Sequence, residues 1–175
     1  MSTVFISHPD CLDHLTPENH PESFKRLISI MDSLSTLENP NLIRLDAPLG
    51  KKSDIMRAHS KDYLDKIEKA KPVTGCVSLD ADTFMSPGSL SAAMRGVGGI
   101  INAIDLVMGG KANNGFVATR PPGHHAEKAT PMGFCFFGNV SIATKYLLDN
   151  YQLSKVAIVD FDVHHGNGTQ DILWD

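Results

Sequence analysis

The stretch that most constrains this chain runs from Ile158 to Gln170, Ile-Val-Asp-Phe-Asp-Val-His-His-Gly-Asn-Gly-Thr-Gln. Val156, Ile158, Phe161 and Val163 are apolar and suit a pleated, buried surface, so a strand is expected to open the segment. Side chains along a strand alternate between its faces. In that register Asp160, Asp162 and His164 share one face, and Val159, Phe161 and Val163 share the other. Two acids and an imidazole on a buried face are costly without partners. A metal is the simplest partner for Asp-x-His, because carboxylate oxygen and neutral imidazole nitrogen are both good zinc ligands. The Gly-Asn-Gly that follows lets the backbone turn tightly. By itself, an Asp-x-His at a strand end is more often a capping and hydrogen-bonding pair.

A second cluster changes that balance. Arg120-Pro-Pro-Gly-His-His-Ala-Glu127 follows another short apolar run, Phe116-Val-Ala118. Two histidine pairs, each placed after an expected strand, are hard to explain as satisfied core residues. Between them Val140, Ala143, Tyr146 and Leu147 recur at helical spacing, so a helix is expected over about 139–150. Strand, helix and strand form a βαβ unit, whose parallel strands end at the same sheet edge. Open α/β sheets bind ligands at that edge. This topology would bring His124 and His125 to Asp162 and His164.

The rest of the chain reads as one domain. Short strands are expected at Val4–Ile6 and Leu42–Leu45. A helix with Pro21 and Glu22 in its first turn carries the stripe Phe24, Leu27, Ile28, Met31 and Leu34. Two short helices are expected near 53–59 and 60–71, followed by a loop over 72–88 containing Asp80 and Asp82. A long helix then opens at Ser86-Pro87 and closes at Gly109-Gly110. Gly96, Gly98 and Gly99 weaken that helix by roughly 1 kcal/mol each relative to alanine, which points to close approach by another element. Asp171 and Asp175 are expected in a local turn.

Composition narrows the function classes. A chain of 175 residues, 42% hydrophobic and 21% charged, is an ordinary globular domain. Its net charge of -4 gives no electrostatic footprint for nucleic acid. No basic block suggests a membrane surface, and no apolar run nears the roughly 18 residues of a span. Met1 to Asp10 lacks the basic and apolar regions of a secretory signal. Three cysteines, Cys11, Cys76 and Cys135, with no Cys-x-x-Cys spacing suit a reducing cytoplasm.

Arg-Pro-Pro-Gly-His-His-Ala at 120–126, Gly-Phe-Cys-Phe-Phe at 133–137 and Asp-Phe-Asp-Val-His-His-Gly-Asn-Gly-Thr-Gln at 160–170 resemble the histone deacetylase family. The similarity is greatest to its class II-like bacterial members, grouped with acetoin-utilisation and acetylpolyamine amidohydrolases. Weaker matches at His20-Pro-Glu and Asp80-Ala-Asp-Thr-Phe extend it toward the N-terminus. The resemblance implies an α/β, arginase–deacetylase-like, mostly parallel sheet flanked by helices. It also implies zinc-dependent hydrolysis of an acetyl amide, in an acetylated lysine side chain or an acetylated polyamine.

Carried over by motif, Asp162 and His164 become zinc ligands, His125 the general base and His124 its electrostatic or acidic partner. Asp160 would back His124, and Asn167 stands where many members have an Asp behind His125. Gly133 and Phe134 would line an acyl-lysine tunnel, Asp82 would hold the substrate backbone at the rim, and Arg26 would line an internal channel. The family further implies a potassium ion beside the Asp160–His164 strand. Gly138 stands before Asn139 where the family often has a second Asn. A third Asp ligand and an oxyanion-stabilising Tyr or His would follow Asp175. Residues 1–175 therefore read as the N-terminal portion of one catalytic domain, apparently truncated and inactive alone, with an open sheet that favours homo-oligomers or aggregation. Two other readings stay open. One is a catalytically incomplete fragment acting as a binding or assembly module, and the other an active chain with His124 or His125 among its metal ligands.

Overall fold

The structure, a computed structural model, describes residues 1–174. Its framework is a parallel sheet in the order β2-β1-β5, made of Leu42–Asp46, Thr3–Ser7 and Asn114–Val117. Central β1 buries Val4, Phe5 and Ile6 together, as a strand covered on both faces must. Val4 and Ile6 pack with Ala47, Ala103 and Val117 under helix α4 (Ser89–Met108). Phe5 faces the other way, onto Leu27 of α1 (Lys25–Ser35) with Ile30 and Leu34 at its margin. Helices thus cover both faces of the sheet. Helices α2 (Lys52–Ile55) and α3 (Lys61–Ala70) lead to a small antiparallel pair, β3 (Val77–Ser78) and β4 (Phe84–Met85). Helices α5 (Asn139–Asn150) and α6 (Asn167–Leu173) complete the chain.

Local chemistry explains the boundaries. Ser60 caps α3, its side chain accepting from the Tyr63 N–H at 3.1 Å. Gly110, at φ +70°, ends α4: its N–H donates to Val107 O and that of Lys111 to Leu106 O. The glycines inside α4 do serve close approach. A Cβ on Gly98 would lie 2.0 Å from Pro48 O, in the loop after β2, and one on Gly99 would meet Val117 of the sheet at 3.0 Å. By length and composition α4 could cross a membrane, yet Ala92, Ala93, Val97 and Ala103 are buried in this core.

Several expectations need correction, among them the loop over 72–88, which carries β3 and β4. The first helix begins at Lys25, not at Pro21; Glu22 is buried in an ion pair and serves no helix terminus. The strand before the histidine loop is Asn114–Val117, two residues earlier than expected. Asp171 lies within α6 rather than in a turn, while Asp175 falls outside the described residues. The largest change concerns 156–163, which forms no strand. Val159, Phe161 and Val163 are 83%, 96% and 92% exposed, so the expected burial is also missing. Asp160 Oδ1 accepts from the Asp162 N–H at 3.1 Å, and Asp162 Oδ1 from the His164 N–H at 2.8 Å. These local bonds take N–H groups that a sheet ladder would use.

Candidate active site

The C-terminal ends of the three parallel strands share one edge, and the loop that follows β5 carries Arg120 to Glu127. Arg120 roots this loop. Its guanidinium is fully buried, with Nε and Nη2 donating to the Glu22 carboxylate at 2.6 and 2.5 Å and Nη1 donating to Cys11 O at 2.9 Å. Glu22 also sits 3.4 Å from His14 Nε2, and His14 Nδ1 lies 2.7 Å from Ser89 Oγ. Ser89, His14 and Glu22 have the connectivity of a hydrolase triad, but Ser89 is fully buried and cannot meet substrate. They brace the loops. Burial pushes His14 down to about 4, so it is neutral in this interior.

The far end of the histidine loop is held by His59. Its Nε2 accepts from the Gly138 N–H at 2.9 Å, so the protonated Nδ1 donates to Lys128 O at 3.2 Å. Burial pushes this ring down to about 4 as well. Helix α6 closes from the other side: the Thr169 N–H donates to His124 O, and Asp171 accepts from the Lys128 N–H. Gly168 permits the approach, since a Cβ there would lie 2.3 Å from Ala126 O.

Within this frame the His124 and His125 rings lie 4.0 Å apart, centroid to centroid. His124 Nδ1 is 2.9 Å from Asp160 Oδ2, and His125 Nδ1 is 2.6 Å from Asn167 Oδ1. The hydrogen bond from His124 is the main cause holding the Asp160 carboxyl below its ordinary value, with burial opposing it. Asp162 and His164 stand beside this pair. Asp162 Oδ1 is 3.1 Å from His164 Nδ1, and the His164 ring lies 5.9 Å from that of His125. The His164 backbone N–H, the largest cause, also holds Asp162 below its ordinary value. Among the described residues no group of three or more His, Cys, Asp or Glu forms a metal cage.

The rim is aromatic. Gly133 and Phe134 both have positive φ, at 56° and 69°, and the Phe134 N–H donates to Thr83 Oγ1 at 3.1 Å. The Phe134 ring packs edge-on against His20 at 4.7 Å, and Phe84 packs on His20 at 5.4 Å. Exposed Asp82 joins this wall through its backbone: its carbonyl accepts from His20 Nε2 at 3.1 Å. Arg26 is exposed and reaches Thr119 O at 3.2 Å, just before the histidine loop.

The structure therefore gathers His124, His125, Asp160, Asp162, His164 and Asn167, with Gly133 and Phe134 beside them. Asp82 and Arg26 lie at the margins. Sequence reasoning missed His14, His59 and Arg120 as supports. A buried arginine demands an acid, but nothing in the sequence shows that Glu22 supplies it.

A histone deacetylase domain model matches residues 20–175. The chain is 35% identical to type-2 histone deacetylase 1 of Dictyostelium discoideum, over 96% of the chain and 15% of that protein. It is 40% identical to a histone deacetylase-like amidohydrolase of Pseudomonas aeruginosa, over 88% of the chain and 40% of that protein. In three dimensions it is similar to the HDA15 HD domain, with a TM-score of 0.88 and 30% identity, over 98% of this chain and 50% of the other. The chain thus spans about half or less of these relatives. With that motif set, that match and that sheet, the chain belongs to the histone deacetylase domain family and has its arginase–deacetylase fold.

Proposed function

We propose that this chain carries the proton-handling half of a zinc-dependent amide hydrolase acting on an acetylated lysine side chain or an acetylated polyamine. The observation that carries the reading is the pair of histidines, each held at Nδ1 by an oxygen acceptor. A carboxylate can only accept, so His124 Nδ1 bears a proton toward Asp160. His125 Nδ1 likewise faces an amide oxygen. In its neutral form each ring then keeps a lone pair on Nε2.

Asp162 and His164 fit zinc. Carboxylate oxygen and imidazole nitrogen are both zinc donors, and Asp162 Oδ1 lies 3.1 Å from His164 Nδ1, so the two would hold it together. Zinc held there would polarise the amide carbonyl and acidify the attacking water. His125 Nε2, with its lone pair free, would take a proton from the attacking water, while Asn167 keeps the opposite nitrogen protonated. His124 sits 4.0 Å away, with Asp160 balancing its positive charge when it is protonated, and delivers a proton to the leaving amine. The Gly133–Phe134 turn and the His20 and Phe84 rings wall the approach for an aliphatic chain ending in the amide. A potassium ion beside 160–164 and a cytoplasmic setting complete the proposal, the latter suiting three free thiols.

A second reading, an assembly module, is favoured by the exposed Val159, Phe161 and Val163. Acetate release from an acetyl-lysine peptide and an acetylated polyamine separates the two, assayed in the full-length protein with zinc. His125→Ala is expected to lower turnover at least about 10²-fold with zinc retained, and Asp162→Ala to release the metal. Unchanged turnover in the first variant, or stoichiometric zinc in Asp162→Ala/His164→Ala, contradicts the hydrolase reading.

A further inference from the structure

We propose that Glu127 is a positioning residue for this centre: it fixes which end of the Asn167 amide faces His125, and thereby which ring nitrogen of His125 carries the proton. Its catalytic consequence rests on the hydrolase reading, whereas its structural content does not.

The two ends of a carboxamide are alike in shape, and only their partners decide the orientation. Asn167 Oδ1 lies 2.6 Å from His125 Nδ1, and Asn167 Nδ2 lies 3.0 Å from Glu127 Oε1. A carboxylate accepts and cannot donate, so the end facing Glu127 is the NH2. The other neighbours of Nδ2 are acceptors too, but at longer range: His125 O at 3.5 Å and Met132 Sδ at 3.4 Å. With the NH2 so placed, the amide oxygen is left for His125. The short contact then requires a proton on Nδ1, and Nε2 keeps the lone pair that a base needs.

Turned over, the same amide would donate into Nδ1. The proton of a neutral His125 would move to Nε2, and the base would be lost without any change in ring position. An aspartate at 167 would face no such ambiguity, since both of its oxygens accept. Asparagine needs a third group to decide, and Glu127 is the nearest. It sits on the histidine loop itself, its N–H donating to Thr130 O at 3.0 Å.

The test is the tautomer of His125, read from the two ring-nitrogen shifts in long-range proton–nitrogen spectra of the histidine-labelled full-length protein. Wild type and Glu127→Gln, which retains an accepting oxygen, are expected to show Nδ1–H. Glu127→Lys offers only donors, so Asn167 turns its oxygen to the ammonium and His125 becomes Nε2–H. Turnover then falls about 10²-fold or more, with KM nearly unchanged. Adding Asn167→Asp to Glu127→Lys restores the Nδ1–H form and most of kcat, which a purely structural role for Glu127 would not allow. An Nδ1–H tautomer that survives Glu127→Lys, a switch in Glu127→Gln, or failure of the double variant to restore it overturns the proposal. The expected tautomer series in a protein that hydrolyses neither substrate overturns the hydrolase reading alone.

Discussion

Gly133→Ala tests how tightly the rim loop holds His125, the proposed general base. A Cβ at this position would lie 2.3 Å from His125 Cδ2, 2.4 Å from Cγ and 2.6 Å from Cβ. Carbon atoms rest at about 3.5–4.0 Å, so the ring or the loop must yield by about 1 Å. The ring has little freedom, being tied at Nδ1 to Asn167 and flanked by His124. The backbone adds its own cost, since φ is +56° and an L side chain pays about 1–2 kcal/mol in the left-handed region. A misplacement of this size costs about 10²-fold in rate. We therefore expect kcat to fall about 10²-fold in Gly133→Ala, with thermal unfolding earlier by about 2–8 °C. Phe134→Leu, which leaves the contact with His125 unchanged, should lose far less kcat and act mainly on KM. Steady-state kinetics with calorimetry on both variants decides the matter. A Gly133→Ala protein with kcat within about threefold of wild type would refute the close-approach argument.

Two further outcomes follow from the buried supports. His14 and His59 both sit at about 4 in the fold against an ordinary 6.5, so the unfolded chain binds protons that the folded chain refuses. Stability should be whole above pH 6.5 and fall as pH drops toward 4, by about 2 kcal/mol per histidine at pH 5; urea midpoints that stay level from pH 7.5 to 5 rule this out. Glu22→Gln leaves the Arg120 guanidinium buried without its counter-charge and should cost about 3–5 kcal/mol. The paired change Glu22→Leu/Arg120→Met should cost much less, and equal losses in urea unfolding would show that charge pairing is not what matters there.

Sequence alone determined the parts of this protein that depend on local chemistry. The spacing of Val140, Ala143, Tyr146 and Leu147 marks α5 with its observed limits, and Gly109-Gly110 marks the end of α4. The two histidine motifs mark the candidate site, because imidazoles and acids in such density have few other uses. Tertiary structure decided which partner each polar group finds. The apolar alternation at 156–163 predicts a strand, but alternation supplies only a face, and a strand needs a neighbour. Here the Asp160 and Asp162 side chains bind the N–H groups two residues on. Glu22 reads as a helix-start acid and becomes the counter-ion of Arg120 across the fold. Glu127 closes the first histidine cluster with no partner assigned to it in the sequence, and only the packing of α6 against the histidine loop brings it to Asn167. A buried charge or an ambiguous amide takes its identity from what lies within about 3 Å of it, and the order of residues along the chain does not contain that distance.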